Sequence, residues 1–192
     1  MNEKLYFYPV MKTGAKIGLI LLLPALLCMV SCQNKEDYPI IPQIHFSRFL
    51  LEVDTAAHVA RRGVLEFTFE DGDGDIGLPA NYLQPPFDPG SKYYYNLIIK
   101  YFEKQNGKFV EVPLLSWNPD SGRYDTITFN ARIPWLTPDL GDKSISGTIQ
   151  DTLFLDNPLS DYDTIMFTFF IYDRALHKSN VDSTPPIVRR FP

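Results

Sequence analysis

Alternation of apolar and polar residues is the feature that most constrains the fold of this 192-residue chain. The segment Val64–Glu70 places Leu65, Phe67 and Phe69 on one face of an extended strand and polar side chains on the other. Asn-Gly at 106–107 lies between two further apolar runs and predicts a tight hairpin, because both central residues of a type I′ turn need positive φ. These patterns predict β-strands.

Eight such runs are separated by clusters of Pro, Gly, Asp and Asn, and no helical pattern exceeds about ten residues. The predicted strands are Ile44–Val53, Val64–Glu70, Tyr93–Lys104, Lys108–Trp117, Asp125–Ile133, Ser144–Leu155, Ile165–Asp173 and Val181–Arg190. We expect at most one helical turn, within 134–143. This spacing predicts an all-β fold, a single antiparallel immunoglobulin-like β-sandwich of seven to eight strands.

The N-terminal segment has the features of a secretory signal peptide. Lys4, Lys12 and Lys16 precede an apolar run of 14 residues at 17–30. As a helix this run would span about 21 Å, which is less than the roughly 30 Å hydrocarbon core of a bilayer. The pattern therefore favours a cleaved signal, and a retained membrane anchor is the alternative.

The apolar run ends in Met-Val-Ser-Cys at 29–32, which resembles the lipobox of bacterial lipoproteins. The resemblance implies cleavage before Cys32 and attachment of acyl chains, including palmitate, to that residue. The chain then divides into a signal peptide at 1–31, a lipidated cysteine and tether at 32–43, and the sandwich domain at 44–192.

The residues after the lipobox bear on localisation. In lipoproteins an aspartate directly after the cysteine often implies retention in the inner membrane, whereas this chain has Gln33. We therefore expect an outer-membrane lipoprotein. The lysine-plus-acid leader at 33–37 resembles the surface-export signal of Bacteroidota-type lipoproteins, and an ordinary solvated tether is the alternative. The periplasmic face and the cell surface both stay open.

The charge and the cysteine content of the mature chain bear on its partners and on what stabilises its fold. From Cys32 onward there are 161 residues with 15 basic and 22 acidic side chains, a net charge of −7. No stripe of Lys and Arg is present to grip phosphates, so we expect no nucleic-acid partner. Because Cys32 is the only cysteine in this part, the fold must be stabilised by packing and not by disulfides.

The C-terminal run 162–180 resembles the last hairpin of bacterial immunoglobulin-like and fibronectin-III-like domains. In those domains the penultimate strand commonly ends in Asp and continues into Ala-Gly-Asn-x-Ser. The residues that match this pattern are Asp173, Ala175, Ser179 and Asn180. Leu176-His177 replaces the usual Gly-Asn, so the turn can differ in detail. The resemblance implies a fold and not a function.

Three aspartates at alternate positions form the chemically most distinctive motif. The segment 71–77 reads Asp-Gly-Asp-Gly-Asp-Ile-Gly, so Asp71, Asp73 and Asp75 are interleaved with glycines. Hard cations such as Ca²⁺ take several oxygen ligands, and glycine lets the backbone curl so that carboxylates converge. The spacing matches the opening of an EF-hand loop, but Ile76 and Tyr82 occupy the positions that need glycine and glutamate. We therefore reject an EF-hand.

The surrounding run 69–78 also resembles a hallmark of a group of uncharacterised Bacteroidota-type lipoproteins. That resemblance implies kinship and localisation, and no activity.

Topology provides a second argument about the same aspartates. If 64–70 and 165–173 are the second and penultimate strands of an immunoglobulin-like sandwich, the loops that follow them lie at one end. Asp173 would then approach Asp71, Asp73 and Asp75, and a bound Ca²⁺ would relieve their mutual repulsion. The alternative is an acidic loop spread in solvent, with glycines serving the turn and Asp173 capping the hairpin.

Binding is favoured over catalysis. The sequence has three histidines without metal-ligand spacing, and it lacks the common nucleophile and phosphate-loop motifs. Tyr82, Trp117 and Trp135 are candidate surface aromatics for a protein or glycan partner. We expect a non-catalytic binding or assembly module of the cell envelope. A glycan-binding surface module is the first alternative, and a small hydrolase is the second.

Overall fold

A computed structural model describes residues 37–136, 143–155, 157 and 159–190. The secondary structure of these residues is all β, in ten strands. They are β1 (Gln43–Asp54), β2 (Val59–Asp71), β3 (Leu97–Gln105), β4 (Lys108–Glu111), β5 (Leu114–Asn118), β6 (Arg123–Ile127), β7 (Ile145–Phe154), β8 (Thr164–Ile171), β9 (Asp182–Ser183) and β10 (Ile187–Val188). A search of the described residues for a helix able to cross a membrane finds none.

The strands form two antiparallel sheets. One has the order β1-β2-β7, and the other has the order β10-β8-β3-β4 with β9 also paired to β8. Strands β5 and β6 form a separate two-stranded hairpin. The prediction of an all-β antiparallel sandwich is confirmed.

The core lies between the sheets and follows the alternation in the sequence. Leu65, Phe67 and Phe69 of β2 are buried, while the residues between them are half-buried. Strand β8 buries every second residue in the same way. The rings of Phe67 and Phe169 meet with centroids 5.0 Å apart, which joins the two sheets. Apolar burial of this kind is the main stabilising contribution.

The hairpin predicted at 106–107 is confirmed, and two other predicted strands are interrupted by proline. Asn106 and Gly107 both have positive φ, as a type I′ turn requires. Pro113 separates β4 from β5, and Pro185-Pro186 separate β9 from β10. Proline has no N–H to donate to a ladder, so each run splits where it occurs.

Two strand boundaries differ from prediction. Strand β3 begins at Leu97 and not at Tyr93, since the residues before it form a turn in which Tyr94 N–H donates to Ser91 O at 3.3 Å. Strand β6 ends at Ile127, and further along the Asn130 side chain accepts a hydrogen bond from Ile99 N at 3.0 Å. Most of the helical turn expected within 134–143 falls on residues 137–142, outside the described residues.

Strand ends and starts converge at one end of the sandwich. The pairs Gln43↔Glu70 and Asp71↔Ile145 place the start of β1, the end of β2 and the start of β7 together. In the other sheet Leu97↔Ile171 places the start of β3 beside the end of β8. We call this the loop end, because it carries the loop 72–96 and the hairpin segment 172–181.

Candidate metal centre

The two sheets each place an aspartate on the buried face at the loop end. Asp71 continues the inward series of β2, two residues after Phe69, and Asp173 continues that of β8, two residues after Ile171. Both are essentially inaccessible, with exposed fractions of 0% and 1%. Carboxylates therefore stand where each core strand would otherwise present an apolar side chain.

These aspartates meet a third carboxylate from the 72–96 loop. One oxygen from each of Asp71, Asp75 and Asp173 lies within 4.8 Å of the other two. Two oxygens that each lie about 2.4 Å from the same Ca²⁺ ion are at most about 4.8 Å apart, so this separation suits a shared divalent ion.

Hydrogen bonds hold one side of the cluster. Asp71 Oδ2 accepts from the Asp75 backbone N–H at 2.8 Å, and Asp75 Oδ2 accepts from Ala175 N–H at 2.9 Å. Asp173 accepts from the backbone N–H of His177 at 2.7 Å, and its other oxygen lies 2.8 Å from His177 Nδ1. These bonds tie the 72–96 loop to the 172–181 segment.

The other oxygens of the cluster lack a donor. Asp71 Oδ1, Asp73 Oδ1 and Asp75 Oδ1 are buried atoms without a hydrogen-bond partner among the described residues. An unpaired buried charged oxygen is costly, and native proteins rarely retain one without a ligand, water or ion. Three such oxygens together make this cluster a candidate site for a cation.

The electrostatics of the cluster match its burial. Burial raises the pKa of Asp71 to about 7, and the negative charges of Asp73, Asp75 and Asp173 act in the same direction. Burial and the charge of Asp173 raise the pKa of Asp75 to about 6. Without a cation, this end of the core therefore resists full ionisation near neutral pH.

The partners of Asp173 change two further protonation equilibria. Burial raises the pKa of Asp173, while its hydrogen bonds with His177 oppose that rise. The hydrogen bond between the Asp173 carboxylate and His177 Nδ1 raises the pKa of the half-exposed His177 ring. The positive charge of the Arg174 guanidinium opposes the rise in the pKa of Asp75. The same guanidinium lies over the Trp135 ring, 5.2 Å from its centroid.

Two glycines permit the tight course of the acidic loop. Gly74 has φ +71°, and a Cβ there would lie 2.0 Å from Lys143 O. Gly77 has φ +93°, and a Cβ there would lie 2.0 Å from Pro134 O. Both positions need a residue without a side chain, for conformation and for space.

The structure brings together the residues that the topology argument paired. Asp173 lies beside Asp71 and Asp75, and Asp73 contributes a buried oxygen to the same region. The alternative, an acidic loop spread in solvent with Asp173 capping the hairpin, holds only for the capping, because Asp173 accepts from His177 N–H. Asp71 is buried and Asp73 and Asp75 are half-buried, so the loop is not spread in solvent. Carboxylate oxygens have enough lone pairs to serve a hydrogen bond and a metal ion together, so the capping is compatible with a bound cation.

Two arginines and one histidine that organise this end were not among the residues predicted from the sequence. Arg132 donates to the carbonyls of four loop residues, Pro79, Tyr82, Phe87 and Tyr94. Arg174 donates to Gly77 O at 3.3 Å. The four-residue spacing of Asp173 and His177 was the one available signal for the histidine.

The candidate aromatic residues do not form one surface. Trp117 is 53% exposed on the β5–β6 hairpin, where its ring contacts that of the cross-strand neighbour Tyr124. Trp135 and Tyr82 belong instead to the loop end, and the Tyr82 ring stacks on Phe87. Cys32, the predicted lipidation site, lies outside the described residues.

Comparison with protein families, curated proteins and solved structures finds no match for this chain.

Substitution of Gly77 tests the packing of the acidic loop. We expect Gly77→Ala to lower the unfolding free energy by at least about 2 kcal/mol more than Gly90→Ala, as measured by denaturant unfolding. The two glycines have matching φ values, +93° and +90°, but a Cβ at Gly90 meets nothing within 4 Å. Equal losses in the two variants would contradict the close approach of this loop to Pro134.

Proposed function

We propose that this protein is a lipid-anchored β-sandwich module of the bacterial cell envelope, with a calcium ion bound at its loop end. The observation that carries the calcium site is the set of three buried carboxylate oxygens without hydrogen-bond donors. Asp71, Asp75 and Asp173 would supply direct ligands, and Asp73 would supply a fourth carboxylate nearby. The module is proposed to bind or assemble with partners and not to catalyse a reaction.

A divalent cation resolves the energetic problem that the cluster creates. It would place positive charge beside the orphan oxygens and offset two of the negative charges that burial disfavours. Ca²⁺ tolerates an irregular set of six to eight oxygens, whereas Mg²⁺ demands octahedral geometry and keeps several waters. A tight, mostly buried group of carboxylates therefore favours Ca²⁺.

The ion would also order the surface of the loop end. Its ligands come from the end of β2, the 72–96 loop and the segment after β8, so one ion would join both sheets. A long loop fixed in this way gives this end of the domain a defined surface. The lipobox resemblance at Cys32 supports attachment to the outer membrane.

Calcium should stabilise the metal-stripped chain. Ca²⁺ at about 100 times its Kd adds about 2.7 kcal/mol, which corresponds to a rise in Tm of about 5–10 °C for a domain of this size. Calorimetry in 1 mM Ca²⁺ and in chelator measures the shift, with Mg²⁺ at the same concentration expected to give a smaller one (about 1 mM suffices for a Kd of about 10 µM).

The matched variants for this experiment are Asp71→Asn and Asp120→Asn. We expect Asp71→Asn to lose the calcium response while unfolding no earlier than wild type in chelator, because it removes a buried charge and keeps an acceptor for Asp75 N–H. Asp120 lies exposed at the β5–β6 tip, and its variant should respond like wild type. A calcium shift that survives Asp71→Asn would place the ion elsewhere, and no shift in wild type would refute the site.

The stability of the metal-free chain should fall as pH rises. The pKa of Asp71 is about 7 in the folded state, against about 3.9 for an unfolded chain, so the folded state holds more protons between these values. Stability is then lost progressively from about pH 4 to about pH 7. Melting in chelator at pH 5 and pH 8 measures the loss, which Asp71→Asn should reduce.

A second titrating group and the pH dependence of Ca²⁺ binding also enter the interpretation of this pH experiment. His177, whose pKa is raised, acts in the same direction, so the difference between wild type and Asp71→Asn isolates the aspartate. Ca²⁺ binds the ionised form, so its stabilising effect should grow with pH. A metal-free chain that is more stable at pH 8 than at pH 5 would contradict the raised pKa of Asp71.

Glycan binding through the β5–β6 hairpin is the second candidate function. The exposed rings of Trp117 and Tyr124 lie together on one face of this hairpin, with centroids 5.2 Å apart. Aromatic pairs of this kind can stack on sugar rings. A glycan array bound by wild type and lost on Trp117→Ala, but kept by Trp135→Ala, would support it. An array without signal would refute it.

A further inference from the structure

The chain enters the sandwich at its loop end. Gly72 N–H donates to Pro39 O at 2.8 Å, and the Tyr38 hydroxyl donates to Ser146 Oγ at 3.2 Å. A Cβ at Gly72 would lie only 2.3 Å from Tyr38 O. The tether residues 38–39 are therefore packed directly against the acidic loop.

Only a short stretch of chain separates this point from the proposed lipid. Tyr38 is six residues after Cys32, and six fully extended residues reach at most about 22 Å. Strand β1 runs away from the loop end for 12 residues, about 37 Å. If Cys32 carries the acyl chains, as the proposed function holds, the loop end is the part of the domain that faces the bilayer.

The exposed surface of the loop end has the composition of a membrane–water interface. Its exposed large apolar side chains include Ile40, Ile41, Tyr82, Leu83, Trp135 and Leu136. Trp and Tyr prefer the headgroup level of a bilayer, and aliphatic side chains beside them add apolar area for insertion.

Basic side chains accompany the rings at this end. Arg174 lies 5.2 Å from the centroid of Trp135, and Lys92 lies 4.7 Å from that of Tyr93. Long basic side chains place their charge at the headgroup level while their stems cover apolar surface. Anionic headgroups attract such groups.

We propose that the loop end rests on the lipid bilayer, with Trp135 and Tyr82 at headgroup level. The opposite end, which carries the end of β7 and the hairpin turn at 106–107, points away. The proposal rests on the lipid anchor of the proposed function. It assigns the occupant of this surface as membrane lipid, so that partners approach from the sides or the far end.

The two tryptophans of the chain make a direct test. The lipoprotein, purified from membranes, is reconstituted into vesicles of phosphatidylethanolamine and phosphatidylglycerol that carry a doxyl-labelled lipid as quencher. Trp117→Phe leaves Trp135, which should lose about half of its emission and shift to the blue, as expected for a ring at the interface. Trp135→Phe leaves Trp117 on the β5–β6 hairpin, which should be quenched less than Trp135.

A second pair of variants guards against a folding defect in either tryptophan variant. Because Cys32 is the only cysteine from position 32 onward and would be acylated, an introduced cysteine takes an environment-sensitive dye uniquely. Leu83→Cys at the loop end and Val53→Cys at the far end of β1 have similar exposure, 46% and 43%. Dye emission should shift to the blue only at position 83.

Vesicle flotation distinguishes a failure of the lipid anchor from a failure of the membrane docking. A chain that does not float with vesicles lacks the anchor, and both the proposed function and this docking fail. A chain that floats with Trp135 unquenched, or with Trp117 quenched equally, keeps the anchor and overturns the docking. The loop end would then be open to a soluble protein or glycan.

Discussion

The two inward-facing aspartates, Asp71 and Asp173, are the constraint on which the rest of this account depends. Each ends the buried face of a core strand, one in each sheet, so the hydrophobic core is closed at one end by carboxylates. Such groups cannot be covered by apolar packing without a partner for their charge. The acidic loop places Asp75 beside them, and not a basic residue, so the uncompensated negative charge of the cluster is larger. This larger charge supports the proposal of a bound cation.

The same site links the elements that give the loop end its shape. Gly72 joins the tether through Pro39, and Gly77 lies against Pro134 and Trp135. Arg132 gathers the carbonyls of the long loop. A cation among the carboxylates would therefore influence the tether, the loop and the exposed aromatics together. The proposed calcium site and the proposed membrane-facing surface thus lie at one end of the molecule.

Much of the fold follows from the alternation in the sequence. The face of β2 that carries Phe67 and the hairpin at 106–107 were predictable because they depend on neighbouring residues. The approach of Asp173 to the acidic loop followed from topology. Counting the alternation two residues further, to Asp71, also predicts its burial. Other features depend on distant partners, such as the hydrogen bond from Ile133 N–H to the Asn96 side chain and the four carbonyls on Arg132. No local pattern encodes them.

The most direct test of the central claim is a crystal structure of the chain grown with millimolar Ca²⁺, with anomalous diffraction used to locate the ion. We expect one peak within about 2.3–2.6 Å of oxygens from Asp71, Asp75 and Asp173. Density for water alone at this position, with hydrogen bonds to the three orphan oxygens and no anomalous peak, would contradict it.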